Sequence, residues 1–493
     1  MAINGFRKKA PGDRPTNMGD KSQQKKAICQ ESLLEKNVYR PILMLSLFLA
    51  LLCTFITYPG IFYSDSYVRV HTGYAVLNSI VKTITGHRMI LETGNAFTVI
   101  PSFLIAVSYG LTGHVGFYTF FQAFMFFMMV FLLIRELNPP GQQVLILMAA
   151  LSPMIYGVSV YYEANVGCVA GIILLLLLLR RTGNEKTKMQ RTGAFLLIVF
   201  AAFITVGYRT NALTVIPVLM IYVWKTQKDR IKRLVPILAM VVGIAMTWMI
   251  PWIFWVQSES NASTGFVWEM ITTIQRMDPE TQSAYMDYLD EIGGEGTTQE
   301  AVLNTHGDTV DSFMWGSGFN TEKLSRPGTL GKVLRKYLQL MTERPADWFR
   351  MKLDFVQRAM GISKMLELNE YDYNRWERMG EYGFNDSMQR KAFHQSYLSF
   401  NQLIGFYSRR PWVAFLVSFI MVIVEHFRNK EKSEIYALIY WLAVFSYAAY
   451  LVVIVVFQIR MFYPALLLLS VLDASIIAEW IQAGIHRIQK RSA

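Results

Sequence analysis

The sequence predicts an all-α fold: a polytopic membrane bundle of about ten transmembrane helices, with outer juxtamembrane helices and a mostly helical extracytoplasmic domain. Three observations predict it. The 493-residue chain is 53% hydrophobic and 14% aromatic, too apolar for an ordinary soluble domain. Runs such as Pro41–Tyr58, Val115–Ile134 and Leu234–Val256 approach the roughly 20 residues that cross a bilayer. The net charge of +12 is unevenly divided. Residues 257–410 hold 17 basic against 21 acidic residues, leaving 31 of the 48 basic and 15 of the 36 acidic elsewhere.

That excess clusters in five short segments, as the positive-inside rule expects of cytoplasmic loops. They are the tail Arg7–Arg40, Arg180–Arg191, Lys225–Arg233, Arg428–Lys432 and His486–Arg491. The basic balance thus reports topology, and no nucleic-acid partner is needed to explain it. About forty polar and basic residues before the first apolar run do not resemble a cleavable signal. Cys29, Cys53 and Cys168 give no disulfide framework.

Between the basic segments the apolar pattern predicts helices near 41–58, 115–134, 142–160, 165–179, 194–208, 211–224, 234–256, 411–427, 434–457 and 461–484. One further run, Ala96–Gly110, holds Pro101 and is short for a span, so it reads as interfacial or re-entrant. The expected organisation is a basic cytoplasmic tail (1–40), a transmembrane region (41–256) with a first outer loop at 59–95, an extracytoplasmic domain (257–410), and C-terminal helices with a short cytoplasmic tail (411–493). Both termini then lie in the cytoplasm of a cell-membrane, multi-pass protein. Within 257–410, stretches such as "TLGKVLRKYLQLMTERPADWFRMKLDFVQRAM" have the amphipathic period of helices lying on a membrane.

The outer turns collect ionisable residues: Asp65, Arg69, His87, Arg88, Glu92, Glu163, Arg209 and Arg460. Charges at a membrane boundary are functional candidates or solvated headgroup contacts. Arg460, in "QIRMFYP", and Arg209, in "GYRTNAL", break the charge bias in very tight turns, and guanidinium suits lipid phosphate. Asp65, in "YPGIFYSDSYVR", has two readings. It can cap a helix, or act as a partly desolvated general base. Arg69 reads as a helix-surface or headgroup contact. Trp252, Trp255 and Trp268 read as sugar platforms or as an interfacial aromatic belt. The helix centres read as apolar with the charges at one rim, which favours one-sided chemistry over alternating access. No Walker loop, dinucleotide fingerprint or HExxH is present, and the His spacings fit no zinc site.

Helix one followed by "YPGIFYSDSY", the amphipathic segment near His87, "MAALSPMIYGVSVYYEANVGCVAGIILLLLLLRR", "RTNALTVIPVL" and "IRMFYPALLLL" together resemble the GT-C superfamily of membrane glycosyltransferases. The resemblance covers about 40–256 and 411–484. It implies transfer of a sugar from a polyprenyl-phosphate donor to a cell-surface glycan or lipid acceptor, with inversion. It further implies Asp65 as the catalytic base and substrate contacts from Arg460, Arg209, Tyr463, His87 and Asn211. Glu92 and Glu163 are the implied ligands of a divalent cation, Mg or Mn. The chain lacks the family's His-Pro-Pro, has Asp65-Ser66 where many members carry two acids, and its 257–410 segment has no counterpart. A lipid or solute transporter and a scaffold for envelope assembly are the alternatives.

Overall fold

The structure is a computed structural model that describes residues 39–58, 69, 73–75, 77–78, 80–82, 91–93, 99–152, 163–182, 187–253, 256–258, 262–292, 328–368, 388–452 and 457–492. It is overwhelmingly helical. In chain order come α1 (Tyr39–Ile56), strand β1 (Leu91–Thr93), α2 (Val99–Thr112), α3 (Gly116–Leu137), α4 (Gln142–Leu151), α5 (Glu163–Arg181) and α6 (Lys188–Tyr208). A 3-10 turn (Thr210–Thr214) leads to α7 (Val215–Thr226), α8 (Arg230–Ile253) and strand β2 (Val256–Ser258). Then follow α9 (Ala262–Ile274), α10 (Pro279–Ile292), α11 (Thr329–Glu343), α12 (Pro345–Ala359), α13 (Met388–Leu403) and α14 (Gly405–Ser408). The chain closes with α15 (Pro411–Arg428), α16 (Lys430–Val452) and α17 (Ile459–Ser492).

Among the described residues, seven helices are long and apolar enough to cross a membrane: α1, α3, α6, α8, α15, α16 and α17. With no water to satisfy it, backbone in a bilayer must bond to itself, and helices of this length do so. These seven coincide with seven of the ten expected spans. The other three differ in length. α4 is described for ten residues, and α7 has twelve because the 3-10 turn takes the start of that run. α5 has nineteen and lies inside the bundle, with Val166, Ile172, Leu175 and Leu179 buried.

Small residues let α5, α6 and α8 approach closely, as packing between helices in lipid requires. Gly167 and Gly171, one turn apart on α5, lie against Tyr208 and Thr205 of α6. A Cβ on Gly167 would come within 2.1 Å of the Tyr208 ring, and one on Gly243 of α8 within 2.4 Å of the Val199 carbonyl. Gly167→Val is therefore expected to lower stability by about 1–3 kcal/mol through overpacking. Thermal unfolding of detergent-solubilised protein checks it.

The basic segments gather at one end of the bundle. Arg180 pairs with Glu136 at 2.8 Å, the Arg135 guanidinium sits 3.8 Å from the Tyr39 ring, and Arg181 donates to the Tyr39 hydroxyl. Gln227 donates to the Thr182 carbonyl. Lys432 bonds the Asn138 carbonyl and pairs with Glu479. The opposite end carries the turns at His114, Arg209 and Gln458. Both ends of α2 lie there: Ile100 packs on Gly207 at the end of α6, and Thr112 bonds His114 at the start of α3. The α2 helix therefore does not cross, in keeping with its short apolar run.

Sequence reading did not anticipate strands. Leu91, Glu92 and Thr93 pair in parallel with Val256, Gln257 and Ser258, tying the stretch before α2 to the start of the 257–410 segment. That segment has an apolar core of its own, built by Trp268, Ile271, Tyr285, Leu289, Val333 and Leu340 from α9, α10 and α11. Its far side joins the bundle through backbone bonds. Glu367 N donates to Phe457 O, Ile459 N to Glu367 O, and Trp412 N to Met360 O.

Candidate functional site

The α6 helix ends at Tyr208 because Arg209 turns to an extended conformation, φ −148° and ψ 119°. The following 3-10 turn is pinned by the Thr214 hydroxyl, which donates to the Phe445 carbonyl at 2.6 Å. This geometry lays the Arg209 guanidinium toward the start of α17, where its Nη2 lies 3.5 Å from Met461 Sδ. A small cavity of about 10 Å³, the space of one water, lies beside it, lined among the described residues by Cys168, Arg209, Asn211, Ser446, Tyr450, Met461 and Pro464. Three helices and one turn, remote in sequence, meet there.

Among the described residues no lining residue is acidic. The lining charge among the described residues is the half-buried Arg209 guanidinium, flanked by amide and hydroxyl groups. Such a site favours an anion with several acceptor oxygens. Pro464 has no N–H, so the Arg460 carbonyl lacks its helical donor and the first turn of α17 is free to bend at the pocket.

A second guanidinium stands close by. Arg69 is buried, only 6% exposed, and within electrostatic reach of Tyr208. This corrects the expectation that Arg69 is a surface or headgroup contact. The Tyr208 ring covers Gly167, next in the chain to Cys168, which lines the pocket with Arg209. Neither Arg69 nor Cys168 was singled out for the site by sequence; only the Gly167–Gly171 spacing marks how closely α5 and α6 meet.

The remaining candidates scatter. Arg460 is half-buried, in a turn clamped by the Glu367 backbone, and is not among the pocket's lining residues. Tyr463 is fully buried and lies beside Tyr397 of α13, away from the pocket. Trp268 is 3% exposed in the core of the 257–410 segment, so it offers no face to a sugar. Asp65 and His87 lie outside the described residues, as does Trp255. Glu92 sits in β1 and Glu163 begins α5, but their side chains are not described. Among the described residues no three His, Cys, Asp or Glu side chains gather to hold a metal ion.

Three buried carboxylates among the described residues escaped sequence reading: Glu269, Glu425 and Asp473. Asp473, in "SVLDASII" of α17, lies fourteen residues, about 21 Å, into that helix. It is 7% exposed. Its Oδ2 accepts from the Tyr407 hydroxyl at 2.7 Å and from Ser418 Oγ at 2.9 Å. The helix centres are thus not uniformly apolar, and the charge was visible in the sequence.

A scan against protein-family models gives no match, and comparisons with curated proteins and with solved structures find none either.

Proposed function

We propose that this chain is an integral membrane glycosyltransferase that moves a sugar from a polyprenyl-phosphate carrier to a cell-surface acceptor. The observation that carries the reading is the Arg209 guanidinium at the small cavity where the Arg209–Asn211 turn meets the start of α17, at the end opposite the basic segments. By the positive-inside rule the basic end is cytoplasmic, so the pocket opens at the outer leaflet of the cell membrane. Residues 257–410 then stand outside, over the pocket. Donor phosphate at headgroup level would meet Arg209, with Arg460 approaching from the next turn.

In the reaction, an acceptor hydroxyl oxygen forms a bond to the anomeric carbon as the bond from that carbon to the phosphate oxygen breaks. The phosphate leaves with the electron pair, and the hydroxyl proton passes to Asp65. Attack opposite the leaving group inverts the centre. Fixed positive charge beside the departing phosphate stabilises the transition state, because it needs no reorganisation as charge develops. A divalent cation held by Glu92 and Glu163 would add charge against the same phosphate.

The test uses purified protein in lipid discs with a panel of labelled polyprenyl-phosphate sugars. Arg209→Ala is expected to weaken donor binding and to lower turnover by about 10²–10³-fold, the scale of a lost oxyanion donor. Unchanged binding and turnover in that variant would remove the pocket from the mechanism.

Asp473 favours a second reading, a proton-linked transporter, since intramembrane carboxylates mark ion pathways. Proteoliposomes separate the two. Solute or lipid flux that responds to a proton gradient and is lost in Asp473→Asn, without any sugar transfer, would establish transport.

A further inference from the structure

Helix α12 carries an asymmetry that its role as packing element does not use. At about 3.6 residues per turn, Trp348, Met351, Phe355 and Ala359 share one face. That face is buried, with Phe355 edge-on to Phe457 at 5.4 Å. The two flanks differ sharply. One bears Asp347, Asp354 and Arg358, where Asp354 receives Arg276 at 2.7 Å and Arg358 at 3.2 Å. The other bears Phe349, Leu353, Val356 and, at the cap, Met360. Phe349 is 61% and Leu353 48% exposed, and Ile362 just beyond is 52% exposed. A soluble helix on a core would show polar residues on both flanks.

The height of α12 is fixed by its bonds to membrane spans. Lys352 Nζ donates to the carbonyl of Val452, the last residue of α16. The Tyr447 hydroxyl donates to the Ala359 carbonyl. Trp412 N, at the start of α15, donates to Met360 O, and Arg410 reaches the Gly361 carbonyl. The helix therefore lies at the level where α15 begins and α16 ends, which is the boundary of the bilayer. Exposed Arg350 stands beside the apolar stripe, where its long stem can carry charge to lipid phosphate, while Lys364 beyond the helix pairs with Glu367 at 3.7 Å.

We propose that α12 is an interfacial helix, seated along its Phe349–Leu353–Met360 flank in the headgroup–acyl boundary of the lipid bilayer. The occupant is the bilayer itself, because the stripe continues the level of the spans and Arg350 stands exposed beside it. An interfacial helix sinks its apolar side about 5–10 Å into that boundary. The inference does not rest on transferase chemistry. It does place lipid one helix from the pocket, since α12 holds the end of α16, which supplies Ser446 and Tyr450.

Nitroxide labels at Phe349→Cys and Leu353→Cys, with Asp347→Cys on the opposite flank, test it in lipid discs. Collision with molecular oxygen is expected to exceed collision with a water-soluble nickel chelate at 349 and 353, and the ratio to invert at 347. Equal nickel access at all three positions would put the flank in water and overturn the proposal. Low access to both reagents at 349 and 353 would show a protein partner or a second copy instead, and would overturn it equally. The unmodified chain gives an independent measurement with a membrane-partitioned photoreactive diazirine. Label is expected on the peptide spanning 345–362, and its absence there while the spans are labelled would refute the seating.

Discussion

Asp65→Asn is expected to lower sugar turnover by about 10²–10⁴-fold, the range for losing a general base, while donor-lipid binding survives. The amide keeps the shape of the carboxylate but cannot take the acceptor proton. Binding is assigned to Arg209 and its pocket, so the two readouts separate. A plain helix cap behaves differently. Asn caps about as well as Asp, so turnover would then be unchanged and the base assignment would fall. If binding and turnover vanish together, Asp65 acts on the fold of the first outer loop. Paired with Arg209→Ala, which is expected to cost binding, the two variants divide proton transfer from phosphate recognition in one assay.

Lys352→Met is expected to destabilise the 257–410 segment by about 3–5 kcal/mol, the scale of breaking one side of a buried ion pair. Glu269 is fully buried, and its carboxylate accepts from Lys352 at 2.5 Å and from the Tyr337 hydroxyl at 2.7 Å. Trp348 Nε1 donates to that same hydroxyl at 2.7 Å. Burial, then the Glu269 charge, push the Tyr337 hydroxyl well above its ordinary range, so it remains a donor to the carboxylate. Removing the ammonium leaves Glu269 buried with one donor fewer, and also strips the Val452 carbonyl of its partner. Thermal unfolding, with hydrogen exchange across α9, α11 and α12, measures the loss. The double variant Glu269→Leu/Lys352→Met is expected to recover most of it, because no unpaired charge remains. A single variant as stable as the parent would mean that water or another group already serves Glu269.

Much of the architecture was legible because hydropathy and charge are local properties. The seven spans follow from apolar runs near the thickness of a bilayer, and the gathering of basic segments at one end follows from the bias in their loops. The short run before Gly110 was readable as non-crossing from its length and Pro101. Candidate residues were readable only where they broke a pattern. Arg209 did so, and it lines the pocket; Tyr463 matched a motif, and it is buried beside Tyr397. Asp473 was readable as a charge inside an apolar run, but its neighbours came from outside that run. Tyr407 and Ser418 are 66 and 55 residues away.

The sequence by itself determined that this is a helical membrane protein, with its spans and the end where its basic loops collect. Composition decides those features, because a bilayer sorts each segment by its own apolar length and charge. Tertiary structure alone decided which residues meet. Arg69, read as surface, is buried within electrostatic reach of Tyr208, and α5 and α6 close to glycine contact at Gly167. The β1–β2 pairing joins segments more than 160 residues apart. The Glu269–Lys352 pair and the Glu367 clamp on Gln458 likewise link distant stretches. Such meetings depend on how closely helices pack and which backbone groups are left to pair, and neither is carried by a local run of residues.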